Sequence, residues 1–380
     1  MRTPLAWLNL VHEKTRLLVA IAGVAFAVMI IFMNLGFLGA LAQTASQIYS
    51  QMNADIFLIS TQALEIGTTK PFPIERIYQS AGIDGVKKTM PVYLGYLQWK
   101  NPETLEYRAI FVYAFNPDDA VFVLPELQKS STLAALRRMN TVLMDQRSRP
   151  EFGPAQVGVH TEADRREVTV GGLYALGGGF AADGTLMMSD QNFRRYFDPR
   201  PLNQIDLGLI QLHEGADPLK VQQRLQEILP KDVLILTQEE IIARDRDYWI
   251  GTTSTGFIFG MGVAVSFIVG TVIVYQILYT DIANHMVQYA TLKAMGYRSL
   301  FLCSLVLQEA VILAVLGYIP GFAVSLGLYE MAFRATSGTL PVSMELGRAV
   351  FVLGLTLGMC SISGLISVQK VVQADPAEVF

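Results

Sequence analysis

The stretches of this sequence that could do chemistry are one glycine run, a few carboxylates and four histidines. Gly171–Gly179 reads GGLYALGGG. A loop that cradles phosphate also needs a lysine to reach it and a Ser or Thr to hold magnesium, in the order GxxxxGK[ST]. That order occurs nowhere in the chain, so the run reads as a turn or flexible loop. Asp183, Asp190 and Asp198 follow in loop-like sequence. Acid–base catalysis needs partners at fixed positions, and no spacing here supplies them. His12, His160, His213 and His285 are scattered without metal-ligand spacing. No catalytic, cofactor-binding or metal-binding residue is assigned, and the chain is not read as an enzyme.

The elements that would have to position such groups are more informative. Asp281–Arg298, DIANHMVQYATLKAMGYR, is a short charged interval between two long apolar segments. Residues 248–280 carry no charge, and beyond it Ser299–Gln308 and Ala310–Tyr329 are uncharged apart from the intervening Glu309. The interval predicts a helix. Asp281 suits its first turn, Lys293 its last, and Gly296 the position past the end, as the helix dipole and the glycine stop require. Ile282, Met286, Tyr289 and Lys293 share a face, with Val287, Ala290 and Ala294 beside them. Such a face can lie on a lipid surface or touch a partner.

Of the 380 residues, 52% are hydrophobic and 16% charged, against about 25% charged in globular domains. Apolar runs this long need a bilayer. The net charge of −4, without a basic cluster, excludes nucleic acid as a partner. Residues 17–42, 249–280, 299–329 and 349–368 read as spans. Residues 1–16 read as a cytoplasmic amphipathic helix, 43–248 as a domain outside the cytoplasm, 281–298 as a cytoplasmic loop, 330–348 as an outer loop and 369–380 as a cytoplasmic tail. Ala40-Leu41-Ala42 resembles a signal-peptidase site, but a secretory apolar region is about 7–15 residues long and Leu17–Leu41 is well beyond that. Arg2, Lys14 and Arg16 precede the first span and the next basic residue is Lys70, which orients the N-terminus inward. Cys303 and Cys360 both fall in spans, so the large polar region needs no disulfide.

Within the spans, Gly256-x-x-x-Gly260 allows close helix approach. Glu309 lies about 14 Å along a helix from Leu300. A carboxylate at that depth faces protein or water, and a hydrogen bond to a neighbouring helix is the favoured role over an ion path. Pro320-Gly321 is expected to kink or end the third span. In the polar region, ADIFLIS (54–60) reads as a strand. GYLQWK and YRAIFVY, joined through Asn101-Pro102-Glu103-Thr104, read as a hairpin. Pro73–Ala81, Ser130–Met144 and Pro218–Leu229 read as helices, the last capped by Asp217. LGLIQL and VLIL around it give a β-α-β pattern. The region is α+β, with an inserted subdomain over roughly 117–200.

The opening PLAWLNLVHEKTRLLVAIAGVAFAV (4–28), the segment LILTQEEIIARDRDYWI (234–250), YATLKAMGY (289–297) and the terminal ADPAEVF (374–380) resemble the permease subunits of the MacB/FtsX-like ABC superfamily. Within it they resemble the DevC type, associated with glycolipid export. The resemblance covers essentially the whole chain. It implies four transmembrane α-helices, with a large α+β periplasmic domain of porter and sabre subdomains between the first and second, in the inner membrane. It further implies a homodimer, and a separate ABC ATPase subunit that binds ATP and Mg so that this chain binds no cofactor itself. A periplasmic membrane-fusion adaptor and a TolC-like outer-membrane duct complete the implied assembly, which works by mechanotransmission. The family's ATPase contact carries over to Asp281, Ile282, Met286, Tyr289, Leu292, Lys293, Met295 and Tyr297. Gly256, Gly260 and Glu309 remain helix-packing residues. The competing classes are a membrane-anchored extracytoplasmic sensor or lipid-processing protein, which would need a signalling module or catalytic set, and a conventional permease with a polar pore.

Overall fold

A computed structural model of the chain describes residues 14–177, 182–295, 297–336 and 341–373. The amphipathic helix expected ahead of Lys14, the Gly178–Gly179 end of the glycine run, Gly296 and the ADPAEVF tail lie outside the described residues.

The chain opens with α1 (Lys14–Ser50), then β1 (Ile56–Ser60), β2 (Phe72–Pro73), α2 (Glu75–Ala81), β3 (Val86–Lys100) and β4 (Tyr107–Phe115). Next come α3 (Ser130–Leu136), β5 (Thr141–Asp145), β6 (His160–Ala163), β7 (Arg166–Tyr174), β8 (Thr185–Ser189) and α4 (Asp190–Tyr196). The sheet region closes with β9 (Gln204–Ile205), β10 (Leu207–Leu212), α5 (Pro218–Ile228), β11 (Val233–Thr237) and α6 (Gln238–Gly251). Four more helices follow: α7 (Ser254–Asn284), α8 (Met286–Ala294), α9 (Ser299–Ala335) and α10 (Leu346–Gln373). Two compact units result, one of helices (up to Gly39, Ser254–Ala332 and from Val342) and one built on the sheet (Ala40–Thr253 with Phe333–Pro341).

The sheet unit is one nine-stranded mixed sheet in the order β11-β1-β10-β3-β4-β8-β5-β7-β6. Its central strands are continuous apolar runs because both of their faces are buried. Ile110, Val112 and Ala114 of β4 enter one core and Phe111, Tyr113 and Phe115 the other. Likewise Ile56 and Leu58 of β1 face one core, and Phe57 and Ile59 the opposite one. The predicted hairpin is β3–β4, with Lys100 opposite Tyr107; Asn101 Oδ1 accepts from the Glu103 and Thr104 amides at 2.8 and 3.2 Å. Asp217 caps α5 by accepting from the Leu219 amide at 3.0 Å. The β10-α5-β11 unit leaves a gap that β1 fills, antiparallel to both strands. The strands of the inserted region extend the same sheet beyond β4, and a bridge from Ala163 to Trp99 brings β6 back to β3.

Three expectations change. Ser130–Met144 is not one helix: α3 stops at Leu136 and Thr141–Asp145 is a fully buried strand. Asn140, with φ +55, turns the chain between them, and the β-branched Thr141 and Val142 suit a pleated core. The front of the glycine run is strand, not loop, since Gly171 and Gly172 lie in β7. A Cβ on Gly171 would come within 2.3 Å of Thr141 Cγ2 and 3.0 Å of Ala135 Cβ, so glycine there admits close packing on β5 and α3. Of the two outcomes expected at Pro320, a kink or an end, the second is excluded, because α9 runs from Ser299 to Ala335 with Pro320 inside it. Proline is tolerated in spanning helices, where neighbouring groups re-satisfy the freed backbone carbonyl.

In the helical unit, α1, α7, α9 and α10 are each long and apolar enough to cross a membrane. Small residues set their approach. A Cβ on Gly270 would lie 2.2 Å from Met359 Sδ and 2.8 Å from Ala27 Cβ, and one on Gly321 would lie 2.8 Å from the Ala25 carbonyl oxygen. Ser363 Oγ of α10 donates to the Thr271 carbonyl of α7 at 2.7 Å.

Candidate functional site

The interval between the second and third candidate spans is shorter as a separate helix than its sequence suggests. Asp281–Asn284 is the last turn of α7, and α8 starts only at Met286 after His285. Asp281 therefore sits at a helix C-terminus, where the dipole disfavours a carboxylate, and not in a first turn. Arg16 answers it, its Nη1 approaching Asp281 Oδ1 at 3.4 Å, and His285 Nδ1 lies 3.6 Å from the same oxygen. Arg16 Nη2 also reaches the Ile277 carbonyl at 3.4 Å. The start of α1 is thus tied to the end of α7. Sequence reasoning counted Arg16 only as a topology signal, although a basic residue at one span's mouth and an acid at the next span's matching end is the trace such a tie leaves.

The buried face of α8 packs on its own chain. Ile282 and Tyr289 are buried with Leu302, Leu305, Val306 and Val368, and Met286 lies against them. Burial pushes the Tyr289 hydroxyl well above its usual range, and nearby Glu309 and Asp281 push the same way. Lys293 is half-buried. Leu292 lies within α8. The large apolar residues exposed here are Val287, 55% exposed, Met295, 63%, and Tyr297, 46%, whose ring packs on Phe301 at 4.9 Å. Of the residues carried over from the resemblance, Asp281, Ile282, Met286, Tyr289 and Lys293 are buried or half-buried and Met295 and Tyr297 face outward, with Val287 added to the outward side.

Among the three packing residues, Gly256 and Glu309 are buried, Glu309 completely. Gly260 faces open space within the chain, whereas a Cβ on nearby Gly262 would meet Asn34 Oδ1 at 2.1 Å. Asn34, the one break in the first apolar run, hydrogen-bonds its own helix through Nδ2 to the Ile30 carbonyl at 2.9 Å.

The sheet unit carries a cleft of about 850 Å³ whose walls include Arg137, Arg166, Arg194, Asp118, Asp190 and Asp198. Two of the carboxylates left without a role by the sequence thus face it, while Asp183 pairs with Arg149 at 2.9 Å elsewhere. Burial raises the Asp190 carboxyl above the usual range.

Two family models match the chain. The FtsX-like permease C-terminal model covers residues 260–376, which hold α8 and the helices around it. The MacB-like periplasmic core domain model covers residues 17–228. The chain belongs to the MacB/FtsX-like permease superfamily. It is a permease subunit of an ABC transporter, partnered by an ABC ATPase, and a multi-pass inner-membrane protein whose sheet unit is a MacB-like periplasmic domain. Solved structures similar to this permease include the periplasmic region of MacB from Actinobacillus actinomycetemcomitans, 9% identical, covering 56% of this chain and 100% of that one at a TM-score of 0.36. The extracellular domain of the ABC-type transporter YknZ from Gram-positive bacteria is 16% identical, covering 48% and 99% at 0.33. A permease-protein domain from Porphyromonas gingivalis is 14% identical, covering 48% and 86% at 0.30. Comparison with curated proteins gives no match.

Proposed function

We propose that this permease converts ATP hydrolysis by its partner into movement of its periplasmic domain, and that α8 is where the ATPase pushes. The observation that carries the reading is the two-sidedness of the segment made of the end of α7, α8 and the residues just past it. Ile282 at the end of α7, with Met286 and Tyr289 of α8, anchors it to the bundle, so a force on it reaches the adjoining spans. Val287 of α8 and, beyond the helix end, Met295 and Tyr297 remain outward, between two membrane segments. Methionine and aromatic side chains are favoured at such contacts. ATP and Mg are held by the partner, in keeping with the absence of GxxxxGK[ST] from this sequence.

Export of a glycolipid, through a periplasmic adaptor and a TolC-like duct by a homodimeric permease of the DevC type, is the finer reading. It is supported by the PLAWLNLVHEKTRLLVAIAGVAFAV opening and by YATLKAMGY. Comparing envelope lipids of deletion and wild-type cells tests the cargo, and an unchanged lipid profile rejects it.

The contact is tested with Val287→Asp and Met295→Asp. Each would put a charge into a desolvated interface, at a cost of several kcal/mol, while leaving the inward face intact. Protein levels should hold while co-purified ATPase falls about tenfold or more. Tyr289→Asp should instead lower the amount of folded protein, since its ring is buried in the bundle. Full ATPase retention by both outward variants would reject α8 as the contact.

A further inference from the structure

The segment LILTQEEIIARDRDYWI is among the most distinctive of the chain and has no part in the site described above. In the structure it forms β11 and α6, and α6 ends at Gly251, just before α7 begins at Ser254. α1 likewise runs without a break from the first candidate span to Ser50. The ends of α1 and α6 in the sheet unit meet in one buried polar knot. Tyr49, 2% exposed, donates its hydroxyl to Asp245 Oδ2 at 2.5 Å, and Asp245 is fully buried. The same carboxylate oxygen accepts from the Ile66 amide at 3.2 Å. Arg244 Nη1 lies 3.5 Å from Asp245 Oδ1, and its other arm donates to the Ala63 carbonyl.

The knot is fastened to the sheet from several sides. The Tyr49 ring packs edge-on to Phe57 of β1 at 5.5 Å. Gln238 Nε2 donates to the Tyr49 carbonyl at 2.9 Å. α6 starts from β11 through a capping box, Thr237 with Glu240. Glu65, also buried, adds a second negative group beside Asp245. Carboxylates are costly to bury, and well-packed apolar side chains would stabilise the fold as well or better. What apolar packing does not provide is direction. Hydrogen bonds weaken steeply when misaligned, so these two helices cannot slide past each other without breaking them.

We propose that Tyr49 and Asp245 are positioning residues of the transport cycle, whose hydrogen bond makes the ends of α1 and α6 and the sheet move as one body. The inference rests on the ATP-driven reading above. Its test uses the full chain with its ATPase in nanodiscs. Dyes on cysteines introduced at the exposed Glu103 and Leu346, in a Cys303→Ser/Cys360→Ser background, report energy transfer with and without ATP.

Wild type should show an ATP-dependent change. Tyr49→Phe, which removes only the hydroxyl, should keep ATP turnover but lose most of that change. Asp245→Asn, whose Oδ1 still accepts from Tyr49, should retain it. A merely structural pair would lower the melting temperature of Tyr49→Phe and leave the ATP-dependent change intact, and that result overturns the proposal. Should Tyr49→Phe not accumulate, Gln238→Ala removes the neighbouring bond between the helices and is read in the same way. A wild type that binds ATPase yet shows no change rejects the ATP-driven reading itself, and the joint with it.

Discussion

Burial holds the Asp245 carboxyl up at about 6, against the accepted bonds from Tyr49 and Ile66 and the nearby Arg244, which pull it down; its ordinary value is 3.8. The folded chain therefore keeps this proton to higher pH than the unfolded chain does. Its contribution to stability is complete below about pH 4 and is lost as pH rises through about 6, a difference on the order of 3 kcal/mol. Asp145 and Asp206 are raised by burial too, so wild type carries several contributions of the same sign. Asp245→Asn should flatten the fall in melting temperature between pH 4 and 7 and raise stability at neutral pH. An unchanged slope would mean that water reaches the carboxylate. No spacing rule pointed to this residue, because its partners Tyr49 and Ile66 lie far away in sequence and only the sheet brings them together.

At the scale of elements, the glycines separate into those that set helix approach and those that do not. Gly321→Ala would bring a Cβ to 2.8 Å from the backbone oxygen of Ala25, which cannot rotate away, whereas Gly260 has nothing within 4 Å. The first substitution should destabilise the bundle by about 1–3 kcal/mol, seen as a lower melting temperature in detergent, and Gly260→Ala should not. Equal effects would argue that Gly260 packs on another chain. The sequence already placed the spans, the β3–β4 hairpin and the α5 cap, since apolar length, turn chemistry and capping are local signals. It missed the α3–β5 break, where a turn at Asn140 overrode a helix-like composition. It also missed the break at His285, where Asp281 pairs with Arg16 from a different helix. For the site, the interval and the grouping of Ile282, Met286 and Tyr289 on one face were legible, but that face was expected to meet lipid or a partner and instead packs on the chain's own helices. Which residues stay outward was not legible, because that depends on the neighbours Leu302, Leu305 and Val368.

For the whole molecule, the basic residues ahead of the first span predict that the sheet unit lies outside and α8 inside. In a background without Cys303 and Cys360, a cysteine at Glu103 should react with an impermeant thiol reagent in intact cells. One at Tyr297 should react only after the inner membrane is opened, and the reverse pattern would invert the topology. The strand order also dictates how the protein must be made. β1 leaves the membrane early, directly behind α1, yet its two hydrogen-bonding neighbours are β10 and β11. Those strands are synthesised roughly 150 residues later, a delay on the order of ten seconds at common translation rates. Throughout that interval Ile56–Ser60 is an apolar strand with both edges bare, the kind of template on which chains cross-pair. Until the last quarter of the periplasmic domain has been made, β1 beside the membrane therefore has neither of the partners that cover its edges in the folded sheet.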